Sequence, residues 1–238
     1  MGAVRILITR NAPDKQEVLL PEENFELISH EFIKIRPVRS IESSAIAAYS
    51  EQADLTALLF TSKNAVQCTH DLLPQLRPAN NIFCIGGGTS EKAREYYGAD
   101  HIAAVADNAA SLARELIARP GFRQAVFFCG DKRREDLPEI LAAHGINLQE
   151  VHVYFTELTP AIIAGHFDGV IFFSPSAVES FFSMNTIDAG TVCFAIGSTT
   201  ASALTAITKN RVVVSAAINE KILLETVRDY FNKDRHRH

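Results

Sequence analysis

Four short runs of hydroxyl, amide and glycine residues follow directly on apolar stretches: Ser62-Lys63-Asn64 with Thr61 before it, Gly86-Gly87-Gly88-Thr89, Ser174-Pro175-Ser176 and Gly197-Ser198-Thr199-Thr200. Each precedes a helix-like pattern. Such a place offers unpaired backbone N–H groups and roughly half a positive charge, which suits the capture of carboxylates through main-chain amides without a large cationic field. Ser, Thr and Gly are also ordinary N-caps and turn residues, so the set carries more weight than any one member. Gly86-Gly87-Gly88 fits neither G-x-G-x-x-G nor the Gly-Lys-Ser/Thr of a P-loop, which argues against a nucleotide. Cys68, Cys84, Cys129 and Cys193 form no C-x-x-C pair, and three of them sit in apolar, strand-like runs. They are expected to be reduced core residues, with no metal and no cofactor implied.

The runs repeat. Leu58 to Val66 (LLFTSKNAV) is answered by Val170 to Val178 (VIFFSPSAV), and Ile82 to Ala93 by Cys193 to Leu204. Ser62 and Ser174 stand 112 positions apart, Gly86 and Gly197 111, and the helix starts Asn108 and Asn219 again 111. A period this long means two whole domains of one type rather than a solenoid, and two copies imply a cleft between them as the first place to look for function.

The elements that must position these runs are short Val-, Ile-, Phe- and Leu-rich segments alternating with helical patterns, the signature of parallel strands covered by helices. Strands are expected over Val4–Thr9, Glu26–Ile35, Ala57–Thr61, Asn81–Ile85, Ile102–Ala106, Ala125–Cys129, Leu148–Phe155, Gly169–Ser174, Thr191–Ile196 and Val212–Ser215. Helices are expected over Ser62–Leu73, Thr89–Tyr96, Ala109–Ala118, Arg134–His144, Ser176–Met184, Ser198–Thr208 and Asn219–Phe231. Pairing Val4–Thr9 with Ala125–Cys129 completes the repeat. That leaves tandem halves or a domain built from both ends of the chain. The long segments Glu26 to Val38 and Leu148 to Glu157 favour the second, since strands passing from one domain to the next run longer than five or six residues.

With 47% hydrophobic and 21% charged residues the chain has the composition of a soluble protein, and a net charge of −5 argues against a general nucleic-acid partner. No apolar run nears the roughly 20 residues of a membrane span, and the N-terminus enters a strand without a signal-peptide layout, so the expected location is the cytoplasm. Only Lys233 to His238 is locally basic, and it is expected to be a solvated end.

F-T-S-x-x-A-V at Phe60 to Val66, F-F-S-P-S-A-V at Phe172 to Val178, A-I-G-x-T-T-A-x-A-L at Ala195 to Leu204, and C-G-x-x-x-R-E-x-L-P at Cys129 to Pro138 followed by V-x-V-Y at Val151 to Tyr154 together resemble the uroporphyrinogen-III synthase family. The resemblance covers nearly the full chain and keeps the order of the blocks. It implies an α/β fold of two flavodoxin-like, doubly wound parallel-sheet domains joined by a two-stranded β ladder. The first would comprise residues 1–36 with 156–238, and the second residues 37–155. It also implies a cofactor-free hydro-lyase acting on a linear tetrapyrrole, hydroxymethylbilane, which is cyclised with inversion of the last ring and loss of water. A monomer is expected, with no nucleic-acid or membrane partner.

On that basis Tyr154 is expected to assist departure of water, a proton-donor role for a phenol. Phe at this position should slow turnover more than it weakens binding. Gly130 and Arg134 belong to the C-G-x-x-x-R-E block, and Arg134 is placed to meet a propionate bidentately, with Asp131, Glu135 and Asp136 as competitors for its charge. Lys63, standing where the second copy has Pro175, makes a similar claim. The expected substrate contacts are Thr61, Ser62, Lys63, Gly86, Gly87, Thr89, Gly130, Arg134, Ser174, Ser176, Gly197, Ser198, Thr199 and Thr200. The alternative is a hinged two-lobe binding protein that closes on a small molecule without chemistry. A flavodoxin-type electron carrier is disfavoured, because no FMN phosphate loop is evident.

Overall fold

Every residue from Thr56 to Phe60 is buried, with Leu58 and Phe60 joining one apolar cluster and Ala57 and Leu59 another. Alternation of period two with both faces covered makes this a central strand between two layers of helix. Leu7 and Ile6 divide in the same way between two further clusters, as do Val170 and Ile171. The computed structural model describes residues 3–11, 20, 24–41, 55–133 and 135–235. Among them the strands are β1 (Val4–Ile8), β2 (Phe25–Ser29), β3 (Ile33–Pro37), β4 (Thr56–Phe60), β5 (Ile82–Ile85), β6 (Ile102–Ala106), β7 (Gln124–Gly130), β8 (Asn147–Leu158), β9 (Gly169–Phe172), β10 (Val192–Ala195) and β11 (Val212–Val214). The helices are α1 (Lys63–Leu72), α2 (Gly88–Tyr97), α3 (Ala109–Ile117), α4 (Asp136–Ala143), α5 (Pro175–Phe182), α6 (Ser198–Ile207) and α7 (Glu220–Arg235). The protein is mixed α/β with parallel sheets.

The chain forms two compact units, Met1–Lys34 with Glu157–His238, and Ile35–Thr156. In the first, five strands run in the order β11-β10-β9-β1-β2; in the sheet that fills the second, the order is β3-β8-β7-β4-β5-β6. Read outward from β9 and from β4, the rows match: β10 and β11 answer to β5 and β6, and β1 and β2 to β7 and β8. The same spatial row is threaded from a different starting point in each unit. Shared positions carry shared caps. Ser62 Oγ accepts from Asn64 N–H and Ser174 Oγ from Ala177 N–H, while Asn108 and Asn219 cap α3 and α7 through their side-chain oxygens.

Several element ends differ from the sequence expectation by one to a few residues, and two differences change how an element is read. The single strand expected over Glu26–Ile35 is two strands, β2 and β3. The break at residues 30–32 arises because Phe32 is drawn fully into the core of the first unit, its ring edge-on to Phe181 at 5.3 Å, while His30 N–H bonds Ile8 O. Helix α7 runs on to Arg235, beyond the expected end at Phe231, so Lys233 is helical. The rest of the basic tail, residues 236–238, lies outside the described residues. β8 is long, at 12 residues.

Candidate functional site

In the second unit β8, β7, β4 and β5 are neighbours, and level with the carboxyl ends of β7, β4 and β5 they carry Tyr154, Gly130, Ser62 and Gly86 in that order. A register shift between Cys129 and Gly130 sets Cys129 opposite His152 and Gly130 opposite Tyr154. Gly130 is where the phenol ring lies. A Cβ there would stand 2.4 Å from Tyr154 Cε2 and Cζ and 2.8 Å from its hydroxyl oxygen, so only glycine admits the ring. The strand end is pinned by Asp131, whose N–H donates to Tyr154 O at 3.3 Å and whose carboxylate accepts from Thr156 N–H at 2.8 Å.

Tyr154 is 9% exposed, packed in a cluster with Phe60, Phe128 and Cys68, and its hydroxyl donates to Ser62 Oγ at 3.2 Å. Burial pushes its pKa above the ordinary phenol value, and the bond to Ser62 opposes this. The phenol therefore remains a neutral donor. Ser62 is half-buried at the tip of β4, Thr61 is half-buried beside it, and Lys63, the first residue of α1, is exposed. The Lys63 stem runs past α2, its Cδ 3.6 Å from the point where a Cβ on Gly88 would stand.

Gly87 caps α2 with φ 68°, a left-handed conformation open to glycine, and Gly197 caps α6 with extended backbone; neither supplies a side-chain oxygen to the first turn. Ser62 and Ser174, by contrast, cap their own helices. In the first unit Pro175 occupies the first turn of α5, where its missing N–H is no loss. Ser198 and Thr199 are exposed, Ser174, Ser176 and Gly197 are half-buried, and Ile218 leans over Gly197. Thr89 and Thr200 are buried within their units.

Sequence reasoning passed over Arg10 and Arg133. Arg10 stacks on Phe173 at 4.1 Å and pairs with Glu220. Arg133 pairs with Glu135 and holds Glu150 with Nε and, at 2.9 Å, Nη2. Arg134 lies outside the described residues. The only available signal for the Arg133 pair was Glu150 two residues before His152 on β8, and that becomes a contact only through the β7–β8 register.

Cys129, Glu150 and His152 each bring one donor atom within 4.8 Å of the others. The carboxylate is taken up by Arg133, and burial, with Glu150 adding to it, pushes the Cys129 thiol up to about 12. All four cysteines are free and buried, with Cys84 pushed to about 11 and Cys193 to about 12 by the same cause. A cavity of about 300 Å³ lies at the opposite, amino ends of β4, β7 and β8, lined by Thr56, Gln124, Asn147 and Gln149 among others, away from every strand tip named above. No helix among the described residues is long and apolar enough to cross a membrane.

A crystal structure of uroporphyrinogen-III synthetase from Helicobacter pylori is similar, with a TM-score of 0.64, 15% identity, and coverage of 95% of this chain and 99% of that one. A mutant uroporphyrinogen III synthase from Thermus thermophilus gives a TM-score of 0.60 and 18% identity, over 97% and 100% of the two chains. At these identities the likeness is one of fold. The family model described as Uroporphyrinogen-III synthase HemD matches residues 17–225. With so much of its length matched by that one model, the chain belongs to the uroporphyrinogen-III synthase family.

Proposed function

We propose that the strand tips bearing Tyr154, Ser62 and Gly130 carry the reaction of this family, a lyase-type cyclisation in haem biosynthesis that closes hydroxymethylbilane to uroporphyrinogen III with loss of water. The observation that carries the reading is a buried, neutral phenol held on the Ser62 hydroxyl and seated on Gly130. The cation left when water departs is stabilised by pyrrole nitrogen, so the protein needs only a weak acid and a way to orient the chain.

The substrate carries an acetate and a propionate on each of its four pyrroles. The first-turn amides of α2 and α6, beneath glycine caps, are suited to these carboxylates. Gly86 and Gly87 at α2, Gly197, Ser198 and Thr199 at α6, Thr61 and Lys63 at α1, and Ser174 and Ser176 at α5 border helix starts and take contact roles in this reading. Arg134 belongs to it by sequence alone. Thr89 and Thr200 contribute backbone amides, since their side chains are buried.

The reading takes the fold as two flavodoxin-like domains, residues 1–36 with 156–238 and residues 37–155, joined by a two-stranded ladder. Support comes from the 2-1-3-4-5 row of the first unit and from the bonds Val38 N–H to Val153 O and Thr159 N–H to Phe32 O, which run in opposite senses along β3 and β8. A cytoplasmic monomer without a nucleic-acid or membrane partner completes it; the net charge of −5 supports the absence of a nucleic-acid partner, and sedimentation tests the oligomeric state.

The decisive experiment incubates purified protein with freshly generated hydroxymethylbilane and resolves the porphyrin isomers after oxidation. Type III ring is expected. A binding protein without chemistry would leave only the spontaneous type I ring.

A further inference from the structure

Tyr154 is almost wholly enclosed, and among the described residues the one hydrogen-bond partner of its hydroxyl is Ser62, which is half-buried at the tip of β4. A serine hydroxyl has two acceptor positions and one hydrogen. Both acceptor positions of Ser62 Oγ are used: Asn64 N–H donates to it at 3.1 Å and Tyr154 O–H at 3.2 Å. Phenol is the stronger acid of the two hydroxyls, which fixes the direction of the bond between them. The serine hydrogen is left over, and no acceptor for it stands among the described residues. It belongs to the outer member of the pair.

From this we infer that Ser62, rather than Tyr154, is the catalytic residue that meets the hydroxymethyl group, and that Tyr154 is a positioning residue acting through it. The inference rests on the reaction assigned above. Ser62 Oγ–H gives its proton to the substrate hydroxyl as the C–O bond breaks with its electron pair going to oxygen, releasing water. The pyrrole nitrogen lone pair replaces the electrons lost at carbon. In the same motion the phenol proton moves to Ser62 Oγ, so no free serine alkoxide forms. The pyrrole carbon that enters the closing carbon–carbon bond later gives up its hydrogen as a proton, which returns through Ser62 to the tyrosine oxygen. The sum is one water released and both hydroxyls restored.

Gly130 and the Asn64 amide are the supports of this relay. The glycine admits the ring, and the amide keeps the serine oxygen turned so that its hydrogen faces outward.

The test measures type III ring formation by Ser62→Asn, Ser62→Thr, Tyr154→Phe and the double variant Ser62→Asn with Tyr154→Phe. Asn retains an N-cap oxygen for α1 and has no transferable hydroxyl proton; Thr retains both. The expected result is a fall in kcat of about 100-fold for Ser62→Asn and for Tyr154→Phe with KM little changed, and a double variant no slower than the slower single, since residues acting as one unit are not additive. Ser62→Thr should keep most of the wild-type rate and its solvent deuterium isotope effect, which should vanish in Ser62→Asn. Full turnover by Ser62→Asn beside a crippled Tyr154→Phe would return the donor role to the tyrosine, and multiplying losses in the double variant would dissolve the relay. Wild-type protein yielding only type I ring would remove the assigned reaction and this inference together.

Discussion

Glycine at position 130 decides where the phenol of Tyr154 can lie. Alanine there would place a Cβ 2.4 Å from two ring carbons, so Gly130→Ala should expel the ring, lose most of the turnover, and destabilise by about 1–3 kcal/mol as an overpacked site; urea melts read beside the isomer assay check both effects. The tyrosine was legible in the sequence as the end of V-H-V-Y. Its enclosure and its bond to Ser62 were not, because they depend on a one-residue register shift between β7 and β8 that no local pattern encodes. A second residue makes a pH prediction. His166 Nδ1–H donates to the Asp188 carboxylate at 2.6 Å, and that bond, with the charges of Asp168 and Asp188, raises its pKa, while Arg5 Nη1 donates to the His166 carbonyl at 2.8 Å. A folded value above the unfolded one favours the protonated ring in the folded state. The contribution is complete below the ordinary value of 6.5 and fades as pH rises through the raised one. Titration by NMR should find the His166 resonance above its ordinary midpoint, and Asp188→Asn should bring it down.

At the scale of elements, most boundaries were readable because the caps are strong and local. Asn108, Ser174 and Ser62 each accept a first-turn amide, and the expected helices begin at Ser62, one residue after Asn108 and two residues after Ser174. Ser174→Ala is expected to lower stability by about 1 kcal/mol, read from chemical denaturation, and Ser174→Asp should largely restore it. The break between β2 and β3 escaped notice for the opposite reason. Phe32 belongs to a run that alternates like one strand, and only its burial against Phe181 turns the chain. Phe32→Ala should therefore lose about 3–5 kcal/mol in the unfolding of the first unit, more than a strand-edge aromatic would.

For the whole molecule, the 111–112-residue spacing was correct as a statement about repeated surroundings, although the two units thread the same row of strands from different starting points. Spacing registers which motifs recur; it carries no information on which chain ends meet. That meeting is seen in two bonds, Thr159 N–H to Phe32 O and Thr159 Oγ–H to Glu31 O, both at 3.0 Å, within the first unit beside the places where the chain leaves and rejoins it. The stretch 35–156 should thus fold when expressed alone, with a single cooperative urea transition; a chain with the spectrum of an unfolded peptide would refute this. Seams lying side by side make that stretch a cassette. It can be lifted out and the gap closed with a short loop, or a relative's counterpart grafted in, so that the contribution of each half to ring closure becomes separable by cloning at two adjacent junctions.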